Sequence, residues 1–493
     1  MDAATLANRR DPGSSGAPST LLESISAFCR ASGVAESTFG RRAVNDGKLV
    51  ARLRRGARIK PETLARLRAF MRSNGVPVDV AAPPELVALV GGTDRPPLSD
   101  PQDASAASAL VEGGRSSDKS PGRNFRFFDN RQKYLLFVST CGEKDVIARR
   151  VGLELGQLHA QPPALRLFDA GVGDGTVLTN VMREMHRRFQ AMPFYIVGKE
   201  ISLEDVRMAL HKMADRFFEH PATVLVVTNM YYAEAPWLTP RSLPAATSML
   251  WKEVALLGST AHEFAGQIAG LDRFLATHWQ ARHSAKTGNP VYERPVVLVI
   301  YRDDYRFLLD QVIPRQGRAM AQFDLVIASQ PYRARVSAEF KAQKVIAPLV
   351  RALRPGGRLL GIHSAGNDPG LEIVQRVWPG EQPFVTTRHD VLAAVRHELG
   401  KEKRHFNFNA YSDSRAIFRY EMHTLPNEVS SAIGTSTLFA AWNAAVYVAQ
   451  IDDERLAQVI GRPHYLEATA EVLMRHGSLW FLDESYVISR KRD

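Results

Sequence analysis

The sequence predicts an α/β protein with a doubly wound, mainly parallel sheet, joined to a small all-α N-terminal domain. Three observations carry that expectation. From Phe125 to Asp493 short apolar runs alternate with amphipathic stretches, the pattern of strands and the helices that cover them. Within that region Leu165–Phe168 is an apolar strand that enters a glycine-rich turn and then a helix, Val177–Phe189. Residues 20–75 read instead as short helices with tight turns.

The length of 493 residues allows two or three domains at roughly 150 residues each. With 45% hydrophobic and 23% charged residues, fibrous, collagen-like and largely disordered chains are excluded. The two cysteines, Cys29 and Cys141, exclude a disulfide scaffold or a cysteine-rich zinc site and fit a reducing compartment. The N-terminus lacks the apolar core of a secretory signal, and no run reaches the roughly 18 apolar residues of a membrane span. A cytoplasmic setting without a membrane partner is expected. The histidines show no HExxH spacing and no Cys/His array, so no metal site is expected.

Four segments follow from composition. Residues 1–19 read as a disordered leader. Residues 20–75 form the helical unit. Residues 76–124 read as a linker, rich in Gly, Ser, Pro and Asp from 91 onward. Residues 125–493 form the α/β domain, with inserted helices about 233–294 and a late region, about 366–493, suited to a substrate pocket or lid.

The net charge is +11, and its distribution is uneven. Between Leu22 and Gly75 there are twelve Lys/Arg against four Asp/Glu, a net of +8, which leaves +3 for the rest. That asymmetry points to a local polyanion-binding module. Leu21, Leu22, Ile25 and Phe28 give one apolar helix face, and Pro61 opens a last helix with Leu64, Leu67 and Met71 inward. The basic middle pair of helices resembles the helix-turn-helix of phage-repressor-type regulators over about 55 residues. The resemblance implies DNA as a partner. A recognition helix at about Asp46–Arg55 would carry Lys48 and Arg52 toward bases or phosphates, with Arg41, Arg42, Arg54 and Arg55 on phosphates. A single copy binds weakly, so a homodimer is expected with it. A protein-interaction domain with a solvated basic face is the competing reading.

The richest segment is Asp169-Ala170-Gly171-Val172-Gly173-Asp174-Gly175-Thr176. Glycines are needed where backbone turns sharply and passes close to a ligand. A G-x-G-x-x-G dinucleotide fingerprint would require glycine at 176, where Thr176 stands. Glycines at 171, 173 and 175, with an acid at 169 closing the strand, resemble motif I of class I S-adenosylmethionine-dependent methyltransferases. Three further landmarks fall in order: strand Phe194–Gly198 ending at Lys199-Glu200, strand Phe323–Ala328 leading into Ser329-Gln330-Pro331-Tyr332, and Leu353-Arg354-Pro355-Gly356-Gly357 before the next strand. The likeness covers about 165–365.

The resemblance implies a Rossmann-like fold, S-adenosyl-L-methionine as cofactor, and transfer of a methyl group to a nitrogen or oxygen nucleophile. It implies cofactor contacts at Asp169, Gly171, Gly173, Asp174 and Gly175. It implies ribose hydroxyls on Glu200 and adenine near Asn229. Asp174 and Thr176 are equally suited to capping the following helix. Either Thr223–Thr228 or Pro295–Tyr301 can be the third strand. Ser329-Gln330-Pro331-Tyr332 resembles a variant of the Asn-Pro-Pro-Tyr motif of nitrogen methyltransferases, which implies catalytic roles for Ser329 and Tyr332, with the tyrosine stacked on a planar target. An ordinary strand-end turn is the competing reading. Tyr134 and Phe137 are placed to cover the cofactor. Trp251, His262, Phe264, Trp279 and His283 either line a pocket or pack helices, and packing is favoured. The acceptor is unidentified, with a small molecule or protein preferred. Other readings are a transcriptional regulator with a ligand-binding domain, a nucleic-acid amino-methyltransferase and, behind them, an aminopropyltransferase.

Overall fold

The computed structural model describes residues 21–32, 34–54, 61–73, 131–284, 290–424, 429, 433–461 and 463–492. The expected leader 1–19 and linker 76–124, and the candidate Arg55, lie outside the described residues. The chain divides into two compact units, Met1–Asp118 and Lys119–Asp493.

The first unit contains α1 (Leu21–Ser32), α2 (Glu36–Val44), α3 (Leu49–Arg54) and α4 (Pro61–Ser73). Ile25, Phe28, Phe39, Leu49, Leu67 and Met71 form its core. The Phe39 ring lies 5.3 Å from Phe28 and 5.7 Å from Phe70, centroid to centroid, spacings at which aromatic rings attract. Asn45 ends α2 with φ 58°. A Cβ on Gly40 would stand 2.3 Å from the Asp46 carbonyl oxygen, so glycine lets the turn fold back onto α2. The helix expected from Asp46 begins three residues later. Asp46 accepts the Lys48 N–H on its side chain (3.0 Å) and the Leu49 N–H on its carbonyl (3.2 Å), which holds 46–48 as a turn. Lys48 therefore precedes α3 rather than lying on it.

In the second unit α5 (Arg131–Thr140) and α6 (Glu143–Leu155) lead into β1 (Leu165–Asp169), α7 (Thr176–Arg188), β2 (Phe194–Lys199), α8 (Leu203–His211) and β3 (Thr223–Thr228). Then come β4 (Leu250–Leu256), β5 (Ala281–His283), β6 (Pro290–Tyr292), β7 (Val296–Arg302), β8 (Phe323–Ser329), β9 (Leu353–Ser364), β10 (Phe406–Asn409), β11 (Ile417–Glu421) and β12 (Trp480–Arg490). Among the described residues, ten strands form one sheet in the order β10-β12-β9-β8-β1-β2-β3-β7-β4, with β11 also on β12. The middle, β9-β8-β1-β2-β3, is parallel throughout. Its wound order places a switch point between β1 and β8, where a crevice opens at the carboxyl ends of the strands.

The two candidates for the third strand both join the sheet. Thr223–Thr228 is β3 in the parallel core, and β7 lies antiparallel beside it. The insertion 233–294 is not purely helical. It holds helices Leu243–Ser248, Ala261–Ala269 and Asp272–His278, but also β4, which extends the sheet parallel to β7, and the β5–β6 pair. β4 is an edge strand, half-exposed along most of its length, so Trp251-Lys252-Glu253 lacks the apolar run that marks buried strands. At the other flank β12 runs antiparallel to β9, and β10 and β11 pair with its two halves.

Strand side chains alternate between two cores. Leu165, Leu167 and Ile196 face α6, α7 and α8 through Ile147, Val181 and Val206. Phe168, Tyr195 and Val197 face Ile346, Leu349 and Val391 on the other side. A third cluster, with Phe137, Tyr420, Trp442, Tyr447 and Phe481, joins α5 to β11, β12 and the helix Thr435–Val448. The Pro-Gly-Gly landmark lies inside β9. Gly356 has φ +78°, and a Cβ on Gly357 would fall 2.4 Å from the Phe323 carbonyl oxygen. Among the described residues no helix is long and apolar enough to cross a membrane.

Candidate active site

The carboxyl ends of β1, β2, β3 and β8 border a cavity of about 770 Å³. Gly171, Gly173, Glu200, Asn229, Ser329 and Tyr332 all line it. Segments far apart in the chain therefore meet where a doubly wound sheet binds ligands.

The glycine turn is held by the end of β2. The Val172 N–H donates to the Lys199 carbonyl (3.1 Å), and the Gly173 N–H to Glu200 Oε2 (2.8 Å). Glu200 Oε1 accepts the N–H groups of Ile201 (2.8 Å) and Ser202 (2.9 Å). The acid that ends β2 thus locks the turn after β1. Each glycine has its own reason. Gly173 has φ +55°, and a Cβ there would stand 3.0 Å from the Tyr134 hydroxyl. At Gly175 a Cβ would come within 2.7 Å of Ala209 Cα in α8. At Gly171 a Cβ would meet nothing within 4 Å and the residue faces the cavity, so an added side chain would enter ligand space.

Asp169 and Asp174 stand behind the turn and do not line the cavity. Asp169 is buried and accepts the Gly171 N–H (3.2 Å). Burial pushes its carboxyl up to about 6, against that hydrogen bond. Asp174 pairs with Lys212 (2.6 Å) and accepts the Thr176 N–H (3.4 Å). Despite burial, hydrogen bonds from Lys212 and Thr176 hold its carboxyl below the usual range. Both acids shape the turn. Asn229 borders the cavity, but its amide is engaged elsewhere. Nδ2 donates to the Arg294 carbonyl (2.9 Å) and Oδ1 accepts the Val296 N–H (2.8 Å), which pins the start of β7. The side chain that the resemblance sets near adenine thus also serves as a clamp at the cavity's edge.

At the end of β8, Ser329 borders the cavity, and its hydroxyl forms no hydrogen bond among the described residues. Gln330 adopts φ +46°, a value proline cannot reach, so the departure from Asn-Pro-Pro-Tyr is built into the backbone. Gln330 Nε2 donates to Ser364 Oγ (3.1 Å) and Asp483 Oδ1 (3.2 Å). Tyr332 is 8% exposed, with Lys341 Nζ 4.9 Å above its ring. Its hydroxyl reaches His363 Nδ1 (2.7 Å), His363 Nε2 reaches Glu484 Oε1 (2.7 Å), and Arg388 Nη1 donates to Glu484 Oε2 (2.8 Å). Burial holds the imidazole below its usual range, whereas Glu484 falls to about 2 because His363 and Arg388 outweigh burial. The hydroxyl is held by the core while the residue borders the cavity.

Other cavity residues come from distant segments: Glu143 and Lys144 at the start of α6, Tyr231 and Tyr232 after β3, and Tyr447 and Gln450 near the end of the late helix. The aromatic pair stands directly behind a strand end, a local signal. Nothing local in the sequence marks the other four. Trp279 and Phe264 are core residues, with Trp279 Nε1 donating to the Glu200 carbonyl (3.1 Å). Neither they nor Trp251, His262 or His283 lines the cavity, in keeping with packing and surface roles.

No family model and no curated protein matches the chain. Solved structures with a likeness to it include a geranyl diphosphate methyltransferase in complex with GPP and sinefungin, 13% identical over 69% of this chain and 75% of that one, TM-score 0.25. PKMT2 from Rickettsia typhi in complex with AdoHcy is 10% identical over 70% and 52%, TM-score 0.24. The rRNA methyltransferase aviRa from Streptomyces viridochromogenes is 13% identical over 44% and 73%, TM-score 0.18. Likenesses at this level carry no weight for this chain; its own strand order and cavity do.

Proposed function

We propose that the chain is an S-adenosyl-L-methionine-dependent methyltransferase acting on a nitrogen or oxygen nucleophile. One observation carries the reading. Gly171 and Gly173 pass along the cavity wall beside Glu200, an acid locked to the turn at the topological switch point. The donor set fits the cofactor: open space at Gly171, the remaining acceptor position of Glu200 Oε2 for a ribose hydroxyl, and Tyr134 and Phe137 as a cover.

When bound, the cofactor supplies a methyl group on a positively charged sulfur. The chain's part is alignment and exclusion of water. Glu200 and the turn would fix the ribose, Tyr231 and Tyr232 would wall the base, and Glu143 and Lys144 would meet the charged amino-acid end. Ser329, unbonded at the end of β8, would face the nucleophile.

Calorimetric titration of the full chain with S-adenosylmethionine and, separately, NAD tests the reading. Micromolar binding of the first alone is expected. Binding of NAD alone would overturn it.

We further propose that the four-helix unit binds DNA, so that Arg41, Arg42 and Lys48 contact phosphates. The three are exposed in α2 and the turn ahead of α3 and form no ion pair among the described residues, whereas Arg52 pairs with Asp46 and Arg54 with Glu36. Retardation of a random duplex by the full chain at low salt, reversed at high salt, is the expected outcome.

A further inference from the structure

The cavity is chemically divided. The carboxylates that line it, Glu143, Glu200 and Asp205, belong to α6, the end of β2 and α8, on the side of the glycine turn, with Lys144 paired to Glu143. On the other side Tyr195, Val197 and Lys199 share one face of β2. That face meets the helix 338–351, whose π-helical turn Ala342–Ile346 sets Lys344 and Val345 into the wall.

Lys199 is the unusual group. Its Nζ lies 4.8 Å from the centroid of the Tyr232 ring, and it forms no hydrogen bond or ion pair among the described residues. The ring is fixed, because the Tyr232 hydroxyl donates to the Pro331 carbonyl (2.8 Å). Burial pushes the ammonium below the usual lysine range, only partly opposed by Glu200. A half-buried ammonium at a cavity wall, set against a ring face, gains from a ligand that brings an acceptor to it. The same cavity is lined by Val336, Phe340 (40% exposed), Val345 and a second lysine, Lys344.

From this we propose that the methyl acceptor is an anion with an apolar body, its carboxylate or phosphate received by Lys199 and its body by Val336, Phe340 and Val345. The proposal rests on the methyltransferase reading for the word acceptor, but not for the anion site itself. It separates the two ligands by charge. The cofactor lies against Glu200 and the Glu143–Lys144 pair, and the anionic acceptor lies against Lys199 and Lys344.

The test is calorimetry on the full chain, with and without S-adenosylhomocysteine, using octanoate, octyl phosphate, 1-octanol and octylamine. At least one anion should bind about tenfold or more tighter than 1-octanol, with octylamine weakest. The tighter of octanoate and octyl phosphate identifies the headgroup. Lys199→Met should remove that advantage, about tenfold to a hundredfold, and Lys199→Arg should keep most of it. If the methionine variant loses its thermal transition, Lys199→Gln takes its place. Equal binding of anion and alcohol, preference for the amine, or full anion affinity in the methionine or glutamine variant overturns the proposal. The cofactor titration separates the two readings. Anion selectivity without cofactor binding removes the methyltransferase reading alone. Cofactor binding without anion selectivity removes this one alone.

Discussion

The two walls of the cavity are built by different rules. On the β1–β2 side the wall is built around backbone: a glycine turn whose Val172 and Gly173 N–H groups are held by the Lys199 carbonyl and one carboxylate. On the β8 side they are side chains brought from far apart, with Gln330 bonded to Asp483 and Tyr332 reaching His363 and through it Glu484. A backbone cradle is set by a few consecutive residues, because the turn needs glycine at fixed places. A side-chain wall depends on which strands become neighbours. The first is a contiguous motif; the second is a property of the assembled sheet.

The largest contrast should come from Gly171→Leu. The new side chain meets no protein atom near its Cβ, so thermal stability should hold while cofactor affinity falls by about a hundredfold or more. Gly175→Leu should act in reverse, lowering the unfolding midpoint through its clash with α8, by about 1–3 kcal/mol or more. If both variants unfold, the turn is structural only and the division between the walls fails.

Next is Glu200→Gln, which keeps the side chain's size but removes the charge and one acceptor oxygen, and with it part of the hold on the turn. Cofactor affinity should drop by about 1.5–3 kcal/mol, read by titration. Unchanged affinity would remove the ribose from that carboxylate.

The β8 wall is probed by pH. The Glu484 carboxyl is held at about 2, below its ordinary value, by His363 and Arg388. A depressed acid contributes stability that is present above its unfolded pKa and is lost as pH falls toward the folded one. Urea midpoints of the full chain should therefore decline between about pH 4.5 and pH 2, by on the order of 2–3 kcal/mol from this group. Glu484→Gln should be less stable at pH 6 and show a shallower decline. A parallel decline in both proteins would mean that the His363–Glu484–Arg388 chain does not hold the wall.

The smallest effect lies outside the cavity. Arg42→Ala should weaken DNA binding modestly and equally across sequences, and reduce the salt dependence by about one phosphate contact. An unaltered salt slope would return α2 to a solvated face.

What the sequence determined by itself was local. The glycine spacing at 171, 173 and 175 and the apolar runs of β1, β2, β3 and β8 were legible, as was the acid after β2, because short-range sterics and burial on both faces leave a strong pattern. The core of the helical unit was legible through the helical spacing of Ile25, Phe28, Leu67 and Met71. Where charge and hydrogen bonds end up depends on long-range packing. Asn229 is spent on the backbone at 294–296, Asp174 on Lys212, and Tyr332 on His363, and none of those partners is near in sequence. β4 escaped notice because a half-exposed edge strand carries a mixed pattern. Lys199 stood beside the expected ribose acid, yet its meaning rests on Tyr232 and on the helix across the cavity. Neighbours along the chain fix backbone shape; the environment that sets a side chain's chemistry is fixed by strands and helices the sequence does not place side by side.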